Sequence, residues 1–339
     1  MKIKINGSYY SFFDEVVINE KFDSVASSFS LKARYNPNNE SHRQIFKPLA
    51  FNKVEIYDDE NVLRLTGFTV NTSLRSSSIR ELQILSGYSK AGILEDCTIP
   101  YILYPLEKNN VSLSDIVSKI LPYFKLSFET DATAKKDMEL QYAKTVAEPS
   151  ESVKSYLSKL ASQRNIILSH KSNGDLLFFK PDVNSKPKYY FTKENALDMG
   201  FDVSGQGIHS DITVLRQPSD ENPSLSPVDS VKNPLVLFDR SVVKTLSSGT
   251  ETDTKKAADN LMAEELKNIK FTVLLKGKFN DLFCGDIVEV MNNEIFLYER
   301  TRLIVSEITR NESSKGDTVS LVLFLPETYT GDKPKIKFQ

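Results

Sequence analysis

The stretch Val54-Glu55-Ile56-Tyr57-Asp58-Asp59-Glu60 has a counterpart near the other end of the chain, Val288-Glu289-Val290-Met291-Asn292-Asn293-Glu294. In both, apolar and polar residues alternate as in a half-buried strand, which then runs into a polar turn. A second apolar strand, a Ser-rich turn and a long closing strand follow each copy. Because an internal duplication decides the fold, we interpret the two stretches as parts of two copies of one small β-barrel. Chance similarity between two amphipathic hairpins is the alternative.

The residues around the first copy also have the pattern of strands. Phe29, Leu31 and Ala33 alternate with polar neighbours, and the polar residues 58–61 separate two strand-like runs, which predicts a hairpin. The first β-barrel is predicted to span residues 1–96. Its later part has a turn at Ser76-Ser77-Ser78, followed by a return strand over 79–86.

Residues 97–182 change to a mixed pattern, in which apolar residues at helical spacing alternate with short apolar runs. This pattern predicts an α+β middle domain inserted between the two barrels. The predicted elements are a helix over 113–121 after a cap at Ser112 or Ser114, a strand over 124–128, a helix that opens at 149–152, and a hairpin of 165–170 with 176–179 around Asn173-Gly174.

Residues 183–339 are predicted to form the second β-barrel, with one helix and a long polar loop. Four prolines among Ser, Asp and Asn over 218–234 indicate an exposed loop. An apolar stripe predicts a helix over 253–269. The strands predicted after it are 271–275, 286–291, 303–308 and 318–325. The fold class predicted for the chain is α+β, mostly β.

The composition is that of an ordinary globular chain. Among 339 residues, 43 Lys and Arg nearly balance 45 Asp and Glu, for a net charge of −2. That balance argues against a protein that coats nucleic acid and against a polybasic membrane-binding protein. We expect no targeting segment and no membrane insertion, because the start alternates like a strand and no apolar run approaches the ~20 residues of a membrane span. The chain has 20 Phe and no Trp.

Cysteine and histidine are too scarce for a disulfide framework or a zinc site. Cys97 and Cys284 are far apart in the sequence, and we expect two free thiols. His42, His170 and His209 form no sequence cluster with them. We therefore predict no cofactor and no metal ligand.

Four short motifs resemble parts of catalytic sites. Gly87-Tyr88-Ser89-Lys90-Ala91-Gly92 lacks the Gly that a nucleophile elbow needs two residues after its Ser. Glu95-Asp96-Cys97 has no His nearby in the sequence, so a structural thiol is expected. The acidic residues of Asp58-Asp59-Glu60 and Asp220-Glu221 lie in polar turns, where we expect solvated carboxylates.

The remaining polar clusters favour a binding or structural role over catalysis. No Gly-rich phosphate loop occurs, and Arg300, Arg302 and Arg310 are separated by acidic and polar residues, so no basic stripe forms. Tyr101-Ile102-Leu103-Tyr104 could be a glycan platform, although core or interface packing is the preferred interpretation. We predict no catalytic residue and no enzymatic activity.

Taken in order, these segments resemble the baseplate hub proteins of contractile-tailed phages, the Mu-like tail protein family. The resemblance covers nearly the whole chain. The stretches that carry it are the strand-rich start with 24–31, the segment 85–97, the helix and hairpin of 147–176, and 277–288 with 303–305. The family often has Trp where this chain has Phe279 and Phe283, which keeps the apolar volume but loses the indole donor.

The resemblance implies a virion protein of the tail baseplate, assembled in the cytoplasm of the bacterial host. It implies a homotrimer whose two tube-type β-barrels per subunit form a pseudo-hexameric ring between the tail tube, or a distal tube protein, and a central spike. The genome and the tape measure protein would pass through the lumen, with transient DNA contact. Baseplate wedge proteins would meet the middle domain. A strand near 208–217, with Ser210-Asp211-Ile212-Thr213-Val214-Leu215 as candidate, would complete the first barrel.

Other functions remain open at this stage. They are a tail-associated cell-wall hydrolase or esterase, a receptor-binding tail-tip module, the hub of another contractile injection machine, and the tail-tip hub of a non-contractile phage. We expect lumen-facing residues to be mixed or acidic, so that DNA slides past them. The sequence assigns no individual residue to an interface or to the lumen.

Overall fold

The computed structural model describes residues 1–76, 82–216, 226–245 and 254–335. Strands make up 43% of the structure and helices 22%. The predicted α+β, mostly β fold class is therefore confirmed. None of the described helices combines the length and apolar character that a bilayer crossing requires.

The first lobe is the strand-rich segment of residues 2–89. Its elements are β1 (Lys2–Ile5), β2 (Ser8–Tyr10), β3 (Phe13–Lys21), β4 (Ser28–Ala33), α1 (Glu40–Ile45), β5 (Lys53–Tyr57), β6 (Leu63–Ser73) and β7 (Gln83–Ser89). Phe29, Leu31 and Ala33 are all buried, because alternate side chains of a strand point to one face. The predicted hairpin is confirmed as the antiparallel β5–β6 pair. The turn and return strand predicted over 76–86 are described only in part, since 77–81 lie outside the described residues.

The middle part follows over residues 93–179. Its elements are α2 (Ile93–Asp96), β8 (Glu107–Ser112), α3 (Leu113–Ile120), β9 (Phe128–Thr130), α4 (Ala132–Glu139), β10 (Gln141–Val146), α5 (Val153–Ser162), β11 (Ile167–His170) and β12 (Leu176–Phe179). Both predicted helices are confirmed. Their N-caps are Ser112, which accepts a hydrogen bond from Asp115 N, and Ser152, which accepts one from Ser155 N.

The strand predicted over 124–128 is wrong in its start. A 3₁₀ turn over Leu121–Phe124 extends α3, since Pro122 fits the first turn of a helix, and Lys125 then turns the chain in the left-handed region. The strand begins only at Phe128. The predicted hairpin is confirmed as the β11–β12 pair, with Gly174 at φ +86° in its turn.

The rest of the chain contributes strands to two different sheets. The elements are β13 (Tyr189–Phe191), β14 (Asp198–Val203), β15 (Asp211–Arg216), β16 (Ser226–Lys232), β17 (Ser241–Thr245), α6 (Thr254–Glu265), β18 (Ile269–Lys276), β19 (Ile287–Asn292), β20 (Leu297–Ser313), β21 (Gly316–Phe324) and α7 (Glu327–Thr330). We name β13, β14 and β18–β21 the second lobe. The strands β15–β17 and helix α6 form a separate side sheet.

Two predictions fail at the side sheet. Residues 226–232 of the predicted loop are strand β16, and the loop's first part, 218–225, lies outside the described residues. The strand predicted near 208–217 exists as β15, but it pairs with β16 and β17 and with no described strand of the first lobe. The reason is a local apolar core, in which Ile212 and Val214 pack against Met262 of α6.

The two lobes repeat one order of six strands. The first lobe has the order β3-β4-β7-β6-β5-β1, and the second has β14-β18-β21-β20-β19-β13. Neighbours are antiparallel throughout, except for the parallel β13–β19 pair. The sequence repeat is therefore a repeat of the fold.

Fine details of the repeat also agree. Asp58 Oδ1 accepts a hydrogen bond from Glu60 N at 2.9 Å, and Asn292 Oδ1 accepts one from Glu294 N at 3.0 Å, so both hairpins begin with the same side-chain-capped turn. The register shifts between Thr69 and Asn71 in the β6–β7 pair, and between Val305 and Glu307 in the β20–β21 pair. The bulges occupy equivalent positions of the two lobes.

A single strand joins the lobes. The 17-residue β20 pairs with β19 through its first half and with β3 through its second half, from Glu307 opposite Lys21 to Ser313 opposite Glu15. The lobes consequently share one 13-stranded sheet, and among the described residues no sheet closes on itself. In the part of the chain that the structure describes, each predicted barrel is an open run of strands packed around its own apolar core.

Candidate interaction surfaces and the junction between the lobes

Arg310 is the buried centre of the junction between the lobes, with only 3% of its surface exposed. Its Nε donates to Glu20 Oε1 of β3 at 3.2 Å. Its other nitrogens donate to carbonyl oxygens of the segment 277–286, named here the junction loop. The acceptors are Lys278 (2.9 Å), Phe279 (3.0 Å) and Leu282 (2.5 Å). These acceptors match the donors of a buried guanidinium and fix the loop against both lobes.

Arg64 holds the junction loop from the first lobe. Its Nε and Nη2 donate to Asp58 Oδ2 at 3.0 and 2.8 Å, and both side chains are almost fully buried. The guanidinium lies 4.8 Å from the ring centre of Phe283, and Nη2 also donates to the Asn280 carbonyl. The prediction of a solvated carboxylate is therefore wrong for Asp58, because pairing with Arg64 compensates its burial.

The neighbouring acids are more exposed. Asp59 and Glu312 both pair with Lys278, across the outer side of the junction. Partial burial lowers the pKa of Lys278, but the hydrogen bonds to Asp59 and Glu312 outweigh it and raise the pKa above its ordinary value. The pair Asp220-Glu221 lies outside the described residues.

His170 links the middle part to the first lobe. Its Nδ1 donates to the Ser24 carbonyl at 2.8 Å, which leaves Nε2 to accept from Ser27 Oγ, also at 2.8 Å. Burial lowers the pKa of the imidazole. A serine and a histidine at this distance resemble part of a nucleophilic site, but the third group is a peptide carbonyl where a triad has a carboxylate. Sequence reasoning missed this pair, because its members are 143 residues apart.

The segment 87–92, which resembles a nucleophile elbow in the sequence, begins within strand β7. Ser89 ends β7, is 1% exposed, and accepts a hydrogen bond from Ser27 N at 3.0 Å. Gly87 is required by a neighbouring strand, since a Cβ there would lie 1.9 Å from the Phe68 carbonyl oxygen. These contacts give both residues a packing role.

The other polar residues singled out in the sequence are dispersed. Cys97 and Cys284 are free thiols, and burial raises the pKa of Cys284. The described residues contain no His, Cys, Asp and Glu cluster that could hold a metal ion. The remaining contacts are His42 Nδ1 with Asn36 N (3.2 Å), His209 Nδ1 with Glu265 (2.9 Å), Arg302 with the Ser185 carbonyl (2.7 Å), and Arg300 over the Tyr190 ring (4.3 Å).

The segment Tyr101-Ile102-Leu103-Tyr104 forms an exposed patch on the middle part. Tyr101 is 86% exposed and Ile102 is 63% exposed, whereas Leu103 is partly buried against the apolar core of the middle part. Core packing therefore applies to Leu103, and an interface or a ligand platform remains for Tyr101 and Ile102.

No family model and no curated protein matches the sequence. Solved structures match it over nearly its full length. The tail protein of Neisseria meningitidis has a TM-score of 0.79 at 19% identity and covers 98% of each chain. The 43 kDa tail protein of prophage MuSo2 from Shewanella oneidensis has a TM-score of 0.78 at 17% identity, covering 96% of this chain and 98% of that one.

A more distant match is a component of the E. coli type VI secretion system, which is itself described as similar to two tail proteins of bacteriophage T4. Its TM-score is 0.60 at 10% identity, and the match covers 99% of this chain and 80% of that one. The chain therefore has the fold of phage tail proteins, among them those of Mu-like prophages.

Proposed function

We propose that this protein is a structural hub of a phage tail baseplate. The observation that carries the proposal is the repeat of six strands in the same order in two lobes of one chain. Three copies of such a chain supply six similar lobes, which suits a ring that meets a six-fold tube on one side and a three-fold spike on the other. The tail-protein fold of the solved neighbours supports the same assignment.

The finer parts of the proposal follow from that ring. The tail tube or a distal tube protein would meet one face and the central spike the other, and the genome and the tape measure protein would pass through the lumen. The three-part division into 1–96, 97–182 and 183–339 is proposed as the domain organisation, with baseplate wedge proteins meeting the middle domain. The exposed Tyr101 and Ile102 are candidates for that contact.

The mass of the purified protein in solution tests the proposal. Light scattering should give three times the subunit mass of 38.3 kDa over a concentration series. A protein that stays monomeric to the highest soluble concentration would contradict a self-assembling ring.

Two alternatives have their own tests. A cell-wall hydrolase would clear a peptidoglycan gel, and Ser27→Ala would abolish the clearing if the Ser27–His170 pair were catalytic. We expect no clearing from either protein. A hub of another contractile injection machine, suggested by the type VI match, would be recognised by co-assembly with that machine's tube protein and not with a phage tube protein.

A further inference from the structure

The ladder between β20 and β3 shows how two lobes meet. Beyond the pair Ile287–Ile304, Val305 of β20 still exchanges backbone hydrogen bonds with Gly285 and Asp286. From Glu307 onward, β3 occupies that edge of β20. Phe22 N donates to the Ser306 carbonyl at 2.8 Å just beyond the last pair. In an antiparallel ladder, hydrogen-bonded and non-hydrogen-bonded pairs alternate. Because Ser306 and Phe22 form a hydrogen-bonded pair, Thr309 and Asn19 form a non-hydrogen-bonded pair.

The repeat assigns an equivalent to each strand of this ladder. Val54 and Val288 are the first residues of the two copies of the repeated stretch. Val54 pairs with Gly67 of β6, and Val288 pairs with Leu303 of β20, so β6 corresponds to β20. By the same reasoning β14 corresponds to β3, because each is the outer neighbour of an equivalent strand, β18 or β4. When the equivalent strands are aligned in this way, Ser73 corresponds to Thr309, and Asp202 corresponds to Asn19.

Both equivalent strands have a vacant edge. β5 ends opposite Phe68, and no described strand pairs with β6 beyond that point on this side. β14 is the end of the sheet path among the described residues. Leu74 is 45% exposed where its counterpart Arg310 is 3% exposed, and Val203 is 51% exposed. Exposed apolar edge strands are otherwise sites of uncontrolled pairing.

The charges of the two edges are complementary. In the register copied from β20–β3, Ser73 lies opposite Asp202 and Arg75 lies opposite Gly200. Arg75 would then stand diagonally between Asp198 and Asp202, and all three are exposed in the single chain. Diagonal neighbours on one face of a ladder are ~7–8 Å apart, within reach of a long side chain. Gly200 itself adds no side chain at this position, and the Thr272 hydroxyl of the next strand lies 2.6 Å from where a Cβ would be.

We propose that β6 of one subunit, continued through residues 71–76, pairs antiparallel with β14 of a second copy, residues 199–204, in this register. The proposal rests on the trimer proposed above and deepens it by assigning the strands, the register and the charge contact of the subunit interface. With this pairing, each lobe would continue into the next, as the first lobe already continues into the second within one chain.

Disulfide trapping tests the register. Ser73 and Asp202 form a non-hydrogen-bonded pair in the proposed ladder, with Cα atoms ~4.5 Å apart, within the range that a disulfide spans. Under mild oxidation, S73C/D202C should yield a covalent three-chain species on a non-reducing gel. The matched control S73C/D198C carries its second substitution on the same face but ~13 Å away along β14, and should cross-link poorly. The parent protein reports any background from Cys97 and Cys284.

The outcomes separate this proposal from the proposed function. A covalent trimer from S73C/D202C but not from the control supports the ladder. A trimeric mass without that cross-link, or equal cross-linking in both variants, overturns the register while the hub proposal stands. A monomeric mass for all proteins, with no intermolecular cross-link, overturns both. Because Ser73, Asp198 and Asp202 are all exposed in the single chain, we expect both variants to fold and to melt close to the temperature of the parent.

Discussion

Arg310 and Glu20 are diagonal neighbours in the strand ladder that joins the two lobes, with Nε and Oε1 3.2 Å apart. The remaining donors of Arg310 hold the junction loop through its backbone carbonyls. The Arg310 side chain thus connects β20, β3 and the junction loop. Arg310 is therefore one of two buried cations, with Arg64, that hold the junction loop in place.

Arg310→Met should therefore destabilise the protein strongly. The substitution keeps most of the volume but leaves Glu20 and three carbonyl oxygens without their donor, and breaking a buried pair in this way costs about 3–5 kcal/mol. Urea unfolding measures the change. Arg300→Met is the matched control on the same strand, because its side chain is largely exposed, and it should change stability by less than about 0.5 kcal/mol. Similar losses from both would contradict the role of Arg310.

Asp58 and Asp59 are adjacent in the chain, but replacing them should destabilise the protein to different extents. Asp58→Ala leaves Arg64 buried without its ion pair and removes the cap of the hairpin turn, so we expect a loss of about 3–5 kcal/mol. Asp59→Ala removes a partly exposed pair with Lys278 and should cost about 1 kcal/mol or less. Thermal melts of the two variants at neutral pH make the comparison, and equal shifts would refute it.

His170 should make stability depend on pH in the acid range. Burial lowers its folded-state pKa below the ordinary 6.5, so the unfolded chain binds the proton more readily. Stability from this group is complete above pH 6.5 and falls as the pH drops below 6.5 toward the folded-state pKa. Unfolding free energies of the parent and of His170→Gln, measured from pH 7.5 to 5, should converge as the pH falls. A constant difference between them would exclude this linkage.

Arg75 should control subunit association. In the proposed interface, Arg75→Glu places a third negative charge beside Asp198 and Asp202 of the second copy. The proposed trimer should then dissociate at a concentration at least several-fold higher, and the effect should be smaller at high salt. R75E/D198K/D202K restores opposite charges and should recover the trimer. Sedimentation at two ionic strengths gives the readout. An unchanged trimer in the single variant would remove this contact from the interface.

The sequence predicted much of the local structure correctly. The apolar spacing of 113–121 and the serines before both helices are sufficient for α3 and α5, since caps and helix periodicity act within one or two turns. The strand at 124–128 was misplaced because Pro122 is compatible with a further helical turn as well as with a helix end. The prolines over 218–234 indicate a loop, but pairing with β15 makes residues 226–232 a β-strand.

The junction was the part that sequence reasoning missed. Asp58 lies in a polar turn, and nothing nearby in the chain indicates that it pairs with a buried Arg64, whose guanidinium lies over the Phe283 ring. A weak signal was present for Arg310, which occupies the same inward phase of β20 as Ile308 and therefore interrupts a buried face with a charge. The pairing of Ser27 with His170 left no signal that periodicity could detect.

The sequence by itself determined the strands, the helices, their caps and the repeated hairpin, because these depend on contacts between residues close in the chain. Only the tertiary structure decided that β3 pairs with the edge of β20, and that β15 belongs to the side sheet and not to the first lobe. It also decided that β6 and β14 have unpaired edges among the described residues. Strand partners distant in sequence compete for the same backbone hydrogen bonds. Which partner wins depends on the burial available in the assembled fold.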